Sequence, residues 1–291
     1  MGVFYRRLPK FEYLQPGSLE EILLFLSVNK EKVRVLAGGT DLIVQLRRRE
    51  IAIPDYVADI KRISQLKRVV IDEEGIRIGA LVPISEIAAF ADIKRDYKAM
   101  SDAANTVASP QIRNRATVAG NICNAVPSAD TAPPLLVFGA AVKLKSEKAE
   151  RSVPIDEFFT GPRKTAIAPD EIVTGVFIPK PAAGSKSIYY KHSQRHSMDL
   201  ALVGVAAYGH KDAGVCKEVR IGLGAVAPKP VRAVAAEKIL LGQKPSLELI
   251  EAAAAAAATE CSPIDDHRAS SEYRRDMVQI FTKRALTEIL L

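Results

Sequence analysis

The amino-acid sequence predicts an α+β protein with mixed sheets and short connections. Runs of β-branched and small apolar residues, among them VRVLA, DEIVTGVFIP and LALVGVAAYGH, predict strands. Other stretches place apolar residues three and four positions apart, which predicts helices. Because the two kinds of segment do not alternate regularly, a single parallel sheet with crossover helices is not expected. A chain of 291 residues, 48% of them hydrophobic, can bury one large core or two to three smaller ones.

The first block, residues 1–54, is predicted to run strand, helix, strand, helix. Ser18 and Glu21 have the spacing of a capping box ahead of an apolar-periodic stretch. VRVLA is then a buried strand, and DLIVQLRRRE is a helix with a basic last turn. Gly38 and Gly39 lie where exposed backbone amides before a helix can hold an anion. They match neither common phosphate-binding motif, so an ordinary strand-turn-helix corner is the alternative.

The second block, residues 55–180, begins with a predicted hairpin, VVIDEEGIRIGA, whose two β-rich runs flank an acidic glycine turn. A helical region is predicted from Ile84 to Val107. It is followed by the glycine- and asparagine-rich passage RATVAGNICNAVPSADTAPPLL, and then by the strands AAVKLKS and DEIVTGVFIP. The segment IPKPAAGS, with proline and glycine close together, is the best candidate for a domain boundary.

The third block, residues 182–291, is predicted to contain the strands SIYYKHS, LALVGVAAYGH and KEVRIGLGAV, and then helices. The stretch LELIEAAAAAAATEC is expected to be helical because alanine is the best helix former. In the last helix, the residues at core spacing are Met277, Ile280, Phe281 and Leu286.

Composition disfavours several classes of protein. Cys123, Cys216 and Cys261 are far apart, which argues against a disulfide scaffold and against a self-contained zinc or iron–sulfur site. The net charge is +7, but acidic residues are interspersed and there is no Trp, so nucleic-acid binding is not expected. The N-terminus lacks a signal-peptide pattern, and no apolar run reaches the roughly 18 residues of a membrane span. A cytoplasmic location is therefore expected.

A second glycine passage strengthens the anion hypothesis. TVAGNICNAVPSAD combines Ala119 and Gly120 with short polar side chains, among them Asn121, Asn124 and Asp130. Each of the two passages follows an apolar run. Together they suit a ligand with phosphates in its middle and polar groups at both ends.

The segments that carry a family resemblance are VLAGGTDL, SPQIRNRATVAGNICNAVPSAD, EIVTGVFIP, YYKHSQRHSMDLALVGVAA and SEYRRDMVQIFTKRAL. In this order they resemble the FAD-binding subunit of the molybdenum hydroxylases, the medium subunits of xanthine dehydrogenase, carbon monoxide dehydrogenase and related enzymes. The resemblance covers essentially the whole chain. It implies a vanillyl-alcohol-oxidase/MurB-like (PCMH-type) FAD-binding domain of two subdomains, 1–54 and 55–180. It also implies a C-terminal α+β domain, 182–291, of a small antiparallel sheet with helices.

The resemblance further implies a non-covalent FAD that lies extended between the subdomains. The residues that match FAD-contacting positions of the family are Val35, Leu36, Ala37, Gly38, Gly39, Thr40, Asp41, Leu42, Val107, Thr117, Val118, Ala119, Gly120, Asn121, Asp130, Val173 and Lys191. Residues 35–42 and 117–121 would be two pyrophosphate loops. Asp130 would serve the nucleotide end, and Lys191 would reach the flavin from the C-terminal domain.

Two further points concern the implied FAD site. Val107 and Val173 would be its apolar walls. The family commonly has two glycines where this chain has Ala119 and Gly120. The methyl group can be tolerated if that residue has a negative φ, so the departure affects one contact and not the family assignment.

The family passes electrons from a molybdenum cofactor on a large subunit through two [2Fe–2S] clusters on a small subunit to FAD, and then to NAD or another acceptor. The resemblance therefore implies an oxidoreductase component with these two partner subunits, which alone carry the molybdenum and the clusters. The sequence has no nucleophile or metal motif of its own, as suits an electron relay. Three scattered cysteines cannot form the four-cysteine loop of hydroxybenzoyl-coenzyme A reductases. Arg113 and Arg115 would contact either phosphate or a partner subunit.

Two other functions stay open. One is a self-contained FAD oxidase or reductase of the same fold superfamily, although the first loop has no His or Cys to tether a flavin. The other is a non-catalytic assembly protein with a degenerate flavin site. Single residues also have structural alternatives: Cys123 is expected to be a buried thiol, Asp41 can cap the following helix, and His192 and His196 are expected at polar loop or strand-edge positions.

Overall fold

A computed structural model of the protein describes residues 7–291. Helices and sheets do not alternate regularly along the chain, and the sheets are of both parallel and antiparallel type. The α+β class predicted from the sequence is therefore confirmed. None of the helices within the described range combines the length and apolarity needed to cross a membrane.

The N-terminal unit consists of β1 (Glu12–Leu14), α1 (Leu19–Asn29), β2 (Val33–Leu36), α2 (Leu42–Arg48) and β3 (Tyr56–Asp59). Strands β1 and β2 both pair in parallel with β3, the middle strand. Ser18 caps α1 as predicted, because its hydroxyl accepts from the Glu21 amide at 3.2 Å. The Glu21 carboxylate accepts from the Gly17 amide at 2.7 Å, one residue before the N-cap amide that a standard capping box uses. The middle strand, β3, begins at Tyr56 and so lies beyond residue 54, the predicted end of the first subdomain. The division into subdomains at residues 1–54 and 55–180 stays a prediction.

The second unit is a five-stranded sheet with helices and a two-stranded ribbon. Its elements are β4 (Val69–Ile71), β5 (Gly75–Gly79), α3 (Ile84–Ala89), α4 (Ala91–Asp96), α5 (Lys98–Thr106), α6 (Pro110–Arg113), α7 (Val118–Cys123), α8 (Ala132–Val137), β6 (Ala141–Lys145), β7 (Glu150–Pro154), α9 (Ile155–Phe158), β8 (Phe159–Gly161), β9 (Lys164–Thr165) and β10 (Ile172–Pro179). The sheet is antiparallel, in the order β4-β5-β10-β6-β7. The β4–β5 hairpin is confirmed, and the predicted helical region after it forms three successive helices.

The C-terminal unit is a four-stranded antiparallel sheet covered by helices. Its elements are β11 (Lys186–His192), β12 (Val203–Asp212), β13 (Val215–Gly224), β14 (Val231–Arg232), α10 (Val234–Leu240), α11 (Leu247–Thr259) and α12 (Ser271–Leu290). The strands are in chain order. Side chains alternate between two cores, so Ile188 packs with α11 and α12 while Tyr189 packs with the second unit. The sheet thus lies between its own helices and the second unit.

The last helix departs from the sequence prediction at one position. Leu286 is buried, and Met277 and Phe281 pack against the C-terminal core, as predicted. Ile280 is 39% exposed, so its assignment to the core was wrong. The buried stripe of α12 passes through Val278 and Leu286 instead, because β12 and α11 fix which face of the helix turns inward.

Candidate functional site

Loop 1, residues 37–41, joins the end of β2 to α2. Gly39 has a φ of +79°, a left-handed conformation that glycine adopts without strain. The amides of Gly38, Gly39, Thr40 and Asp41 donate no hydrogen bond to any residue that the structure describes. Backbone donors are normally paired, so four successive donors without a protein acceptor indicate a place where an anion can bind.

Loop 2, residues 117–121, forms the cap and first turn of α7. The Thr117 hydroxyl accepts from the Gly120 amide at 3.0 Å and fixes the start of the helix. Ala119 is buried and is not among the described residues with positive φ, so its methyl group causes no backbone strain. The Val118 amide faces the Val82 carbonyl in the bridge between Pro83 and Thr117, whereas the Ala119 amide donates no hydrogen bond to any described residue. Loop 2 therefore adds one donor of the same kind.

The backbone at loop 1 lies against the segment that leads into loop 2. A Cβ atom on Gly38 would lie 2.1 Å from the Arg115 carbonyl oxygen and 3.0 Å from the Ala116 Cα, so only glycine permits this approach. Beside the contact, the Gln45 side-chain amide on α2 donates to the Asn124 side-chain oxygen at 2.7 Å. The two glycine passages, far apart in the sequence, therefore meet in one place.

Lys61 supports loop 1 from behind and was missed by the sequence analysis. Its ammonium donates to the Ala37 carbonyl at 3.3 Å and pairs with the buried Asp59 carboxylate at 2.8 Å. The Tyr13 hydroxyl also donates to Asp59, at 2.6 Å. Burial alone would raise the pKa of Asp59, but the hydrogen bonds from Lys61 and Tyr13 outweigh it and hold the pKa below its ordinary value. No local motif predicts Lys61, because Ala37 is distant in sequence.

The apolar residues predicted for the site pack into the cores on either side of the loops. Val35, Leu36 and Leu42 contact the N-terminal cores, so the backbone at these positions is the part available to a ligand. Val107, at the end of α5, and Val173, on β10, are buried in the same apolar cluster as the first turn of α7. Both valines therefore belong to the core of the second unit, and their role as walls of the site stays a prediction.

Asp130 and Lys191, which the resemblance assigned to different parts of the ligand, form a buried ion pair. The Lys191 ammonium lies 2.8 Å from Asp130 Oδ2 and also donates to the Thr106 carbonyl at 3.2 Å. The Tyr189 hydroxyl donates to Asp130 Oδ1 at 2.9 Å. Burial raises the pKa of the Asp130 carboxyl, and the Lys191 charge opposes that rise. The two predicted residues are therefore neighbours, because β11 runs beside the segment that follows α7.

Asp41 and Cys123 do not have the structural roles that the sequence suggested for them, a helix cap and a buried thiol. Asp41 is at the N-cap position of α2, but its carboxylate makes no capping hydrogen bond, so the capping alternative was wrong. Asp41 is exposed, yet nearby protein atoms desolvate the carboxyl and raise its pKa, which Arg163 opposes. Cys123 is exposed, not buried as predicted, although desolvation raises the pKa of its thiol to about 12. Side chains that are exposed but poorly solvated are typical of a concave surface.

A polar cavity of about 270 Å³ lies beside Lys191. Its lining is mostly the connection from His192 to Ser197, completed by Thr106 and Asp199. The two histidines lie at the end of β11 and in this connection, which matches their expected positions. Across residues 7–291, no group of three or more His, Cys, Asp and Glu side chains is arranged to hold a metal ion.

Two family descriptions match nearly the whole chain. Residues 9–181 match the FAD binding domain in molybdopterin dehydrogenase, and residues 188–289 match the CO dehydrogenase flavoprotein C-terminal domain. These matches bear out the fold predicted from the resemblance, an FAD-binding domain followed by a C-terminal domain of that type.

Individual relatives extend the same likeness. The chain is 33% identical over 278 residues to the xanthine dehydrogenase FAD-binding subunit of Escherichia coli O157:H7, covering 95% of this chain and 94% of the relative. It is 35% identical over 281 residues to the glyceraldehyde dehydrogenase medium chain of Sulfolobus acidocaldarius, covering 97% and 99%. A chain of the solved carbon monoxide dehydrogenase from Hydrogenophaga pseudoflava matches with a TM-score of 0.93 at 32% identity, covering 97% of this chain and 98% of that one.

Proposed function

This chain belongs to the family of FAD-binding medium subunits of the molybdenum hydroxylases, and we propose that it binds FAD across loop 1 and loop 2 as the electron-carrying component of a larger oxidoreductase. The observation that carries the proposed site is the contact of Gly38 with the Arg115 backbone, together with the unpaired amides of residues 38–41 and of Ala119. A dinucleotide has a pyrophosphate in its middle. Amides from two adjoining glycine turns suit that charge.

The proposed contacts follow from the position of each residue. The backbone of residues 35–42 and 117–121 would face the pyrophosphate, and the buried Val107 and Val173 would be apolar walls of the site. Because Asp130 and Lys191 are paired, they would meet the ligand as one unit. An isolated buried charge would be costly, whereas this pair offers a carboxylate and an ammonium whose charges compensate.

When bound, FAD supplies the redox chemistry, because no ordinary side chain exchanges electrons with both one-electron and two-electron carriers. The protein residues hold and orient the cofactor. Loop 1 and loop 2 would fix its middle, since Gly38 and Gly39 place the backbone where a side chain would intrude. The Lys191 ammonium and the Asp130 carboxylate would set the local charge.

We further propose the electron route and the partners. Electrons would reach FAD from the [2Fe–2S] clusters of a small subunit, supplied by a large subunit with the molybdenum cofactor, and would leave to NAD or another acceptor. The names of the relatives, a FAD-binding subunit and a medium chain, describe parts of larger enzymes and support this arrangement. A cytoplasmic location and a division at residues 1–54, 55–180 and 182–291 belong to the same proposal.

The first test is the visible absorbance spectrum of the purified full chain, alone and after addition of FAD, followed by acid release. We expect a flavin spectrum, FAD released by acid, and no oxidation of xanthine, aldehydes or nicotinate by the chain alone. A chain that takes up no FAD would overturn the site. Oxidation of a substrate by the lone chain would instead favour the self-contained oxidase.

The electron acceptor is tested separately with the FAD-loaded chain under anaerobic conditions. Bleaching of the flavin absorbance by NADH supports NAD as the acceptor, because the same contacts serve both directions of electron transfer. Bleaching by dithionite but not by NADH rejects NAD and leaves another acceptor.

A further inference from the structure

Tyr189 joins the Asp130–Lys191 pair from the same strand. Its hydroxyl donates to Asp130 Oδ1 at 2.9 Å, while Lys191 donates to Oδ2 at 2.8 Å. Successive side chains of a strand point to opposite faces, so Tyr189 and Lys191 lie on one face of β11 and Tyr190 on the other. The packing agrees, since Tyr189 belongs to the core of the second unit and Tyr190 packs with the C-terminal core.

The Asp130 carboxylate depends on both of these donors. Asp130 is 7% exposed and Tyr189 is 4% exposed, so water cannot replace a lost donor readily. An ionised carboxylate only accepts hydrogen bonds, and each of its oxygens here has one side-chain donor. Burial, together with the neighbouring Asp130 charge, raises the pKa of Tyr189 well above its ordinary value, so its hydroxyl keeps its proton.

Gly204 provides the space that the Tyr189 ring occupies. It lies opposite Lys191 in the β11–β12 register. A Cβ atom on Gly204 would lie 2.7 Å from the Tyr189 hydroxyl oxygen, 3.3 Å from Cε2 and 3.4 Å from Cζ. The φ of Gly204 is outside the left-handed region, so the position requires space and not an unusual backbone. The hydroxyl reaches Asp130 because residue 204 has no side chain.

We infer that Tyr189 is a positioning residue for the FAD site: it orients the Asp130 carboxylate toward Lys191, and Gly204 leaves the room for it to do so. The inference rests on the proposed function, because it is Asp130 and Lys191 that would meet the ligand. Tyr189 itself acts through Asp130 and need not touch FAD.

The test compares FAD binding by the full chain and its Tyr189→Phe variant, with Tyr190→Phe as the matched control. The Tyr190 hydroxyl bonds the exposed Glu288, so its loss should leave the FAD dissociation constant unchanged. Loss of the Tyr189 hydroxyl removes a hydrogen bond to a buried charge, and we expect FAD binding about tenfold weaker. The acid limb of the binding pH profile should move to higher pH, because the charged form of Asp130 loses a donor while Lys191 remains.

A second pair of variants tests the link to Gly204. In the native background, Gly204→Ala should weaken FAD binding about as much as Tyr189→Phe, because the new methyl group displaces the hydroxyl. In the Tyr189→Phe background the same change should add little, because the atom at 2.7 Å is gone and the ring carbons are 3.3 and 3.4 Å away. Fully additive losses would overturn the proposed link.

Urea unfolding of each variant separates positioning from packing. If Tyr189→Phe lowers stability but leaves the FAD dissociation constant and the acid limb of its pH profile unchanged, Tyr189 has only a packing role and the inference fails. If the unmodified chain binds no FAD, the proposed function fails and takes the inference with it. If the unmodified chain binds FAD and Tyr189→Phe binds it equally well, only the inference is lost.

Discussion

Replacing Gly38 by alanine should separate loop 1 from the segment that leads into loop 2. The added Cβ would lie 2.1 Å from the Arg115 carbonyl oxygen, and the atoms it meets are backbone, not the end of a flexible side chain. An ordinary carbon–oxygen contact is about 3.3 Å, so the two segments must move apart by roughly 1 Å. Overpacking of this kind costs about 1–3 kcal/mol.

That cost should appear in FAD affinity. If FAD needs amides from both loops, its binding to the Gly38→Ala variant must bring the two loops back together against this overpacking. The dissociation constant for FAD should therefore rise about tenfold to a hundredfold. Flavin fluorescence quenching during titration of the FAD-free chain measures this value, and urea unfolding of the same preparation measures stability. Both numbers are needed, because a general loss of folding would weaken binding for a different reason.

Gly161→Ala is the matched control for the Gly38→Ala variant. Gly161 also has a φ outside the left-handed region, and a Cβ there would have its nearest neighbour, the Lys164 Cδ atom, 4.0 Å away. We expect it to bind FAD as the native chain does. If Gly38→Ala also keeps native FAD affinity while losing stability, the close approach is only a packing feature and the two-loop site is refuted.

Three further predictions concern single side chains. Cys123 should be alkylated slowly by iodoacetamide at pH 8 despite its exposure, because its pKa is raised to about 12; a labelling midpoint near about pH 8.5, followed by mass spectrometry, would contradict this. Lys61→Met should destabilise the chain by about 1–3 kcal/mol in urea unfolding, because it leaves a buried carboxylate short of a donor. The exposed Lys32→Met control should change stability by less than about 0.5 kcal/mol, and equal effects would refute the argument. Arg274→Met should cost about 3–5 kcal/mol because it removes the ion pair, 2.9 Å long, between the buried Arg274 and the half-buried Asp266, whereas Arg275→Met, exposed on the same helix, should have little effect on the unfolding midpoint.

Features that depend on neighbours in the chain could be read from the sequence. The Ser18 cap of α1, the hairpin turn near Gly75 and the alanine-rich helix α11 were all predicted, because capping, turn formation and helix propensity act over a few residues. The order of motifs along the chain also identified the family. The two glycine passages could also be read as parts of one ligand site, although the sequence could not show the backbone contact between Gly38 and Arg115.

Features that depend on packing between distant segments were decided only by the tertiary structure. The sequence predicted a buried Cys123 thiol and gave Asp130 and Lys191 separate roles, whereas the structure exposes the thiol and pairs the two charges at 2.8 Å. Lys61 and Gly204 had no local signal at all. Lys61 matters because it faces loop 1, and Gly204 matters because it faces the Tyr189 ring. These neighbours are fixed when the three units pack together and bury their apolar faces, and no local pattern of residues specifies that packing.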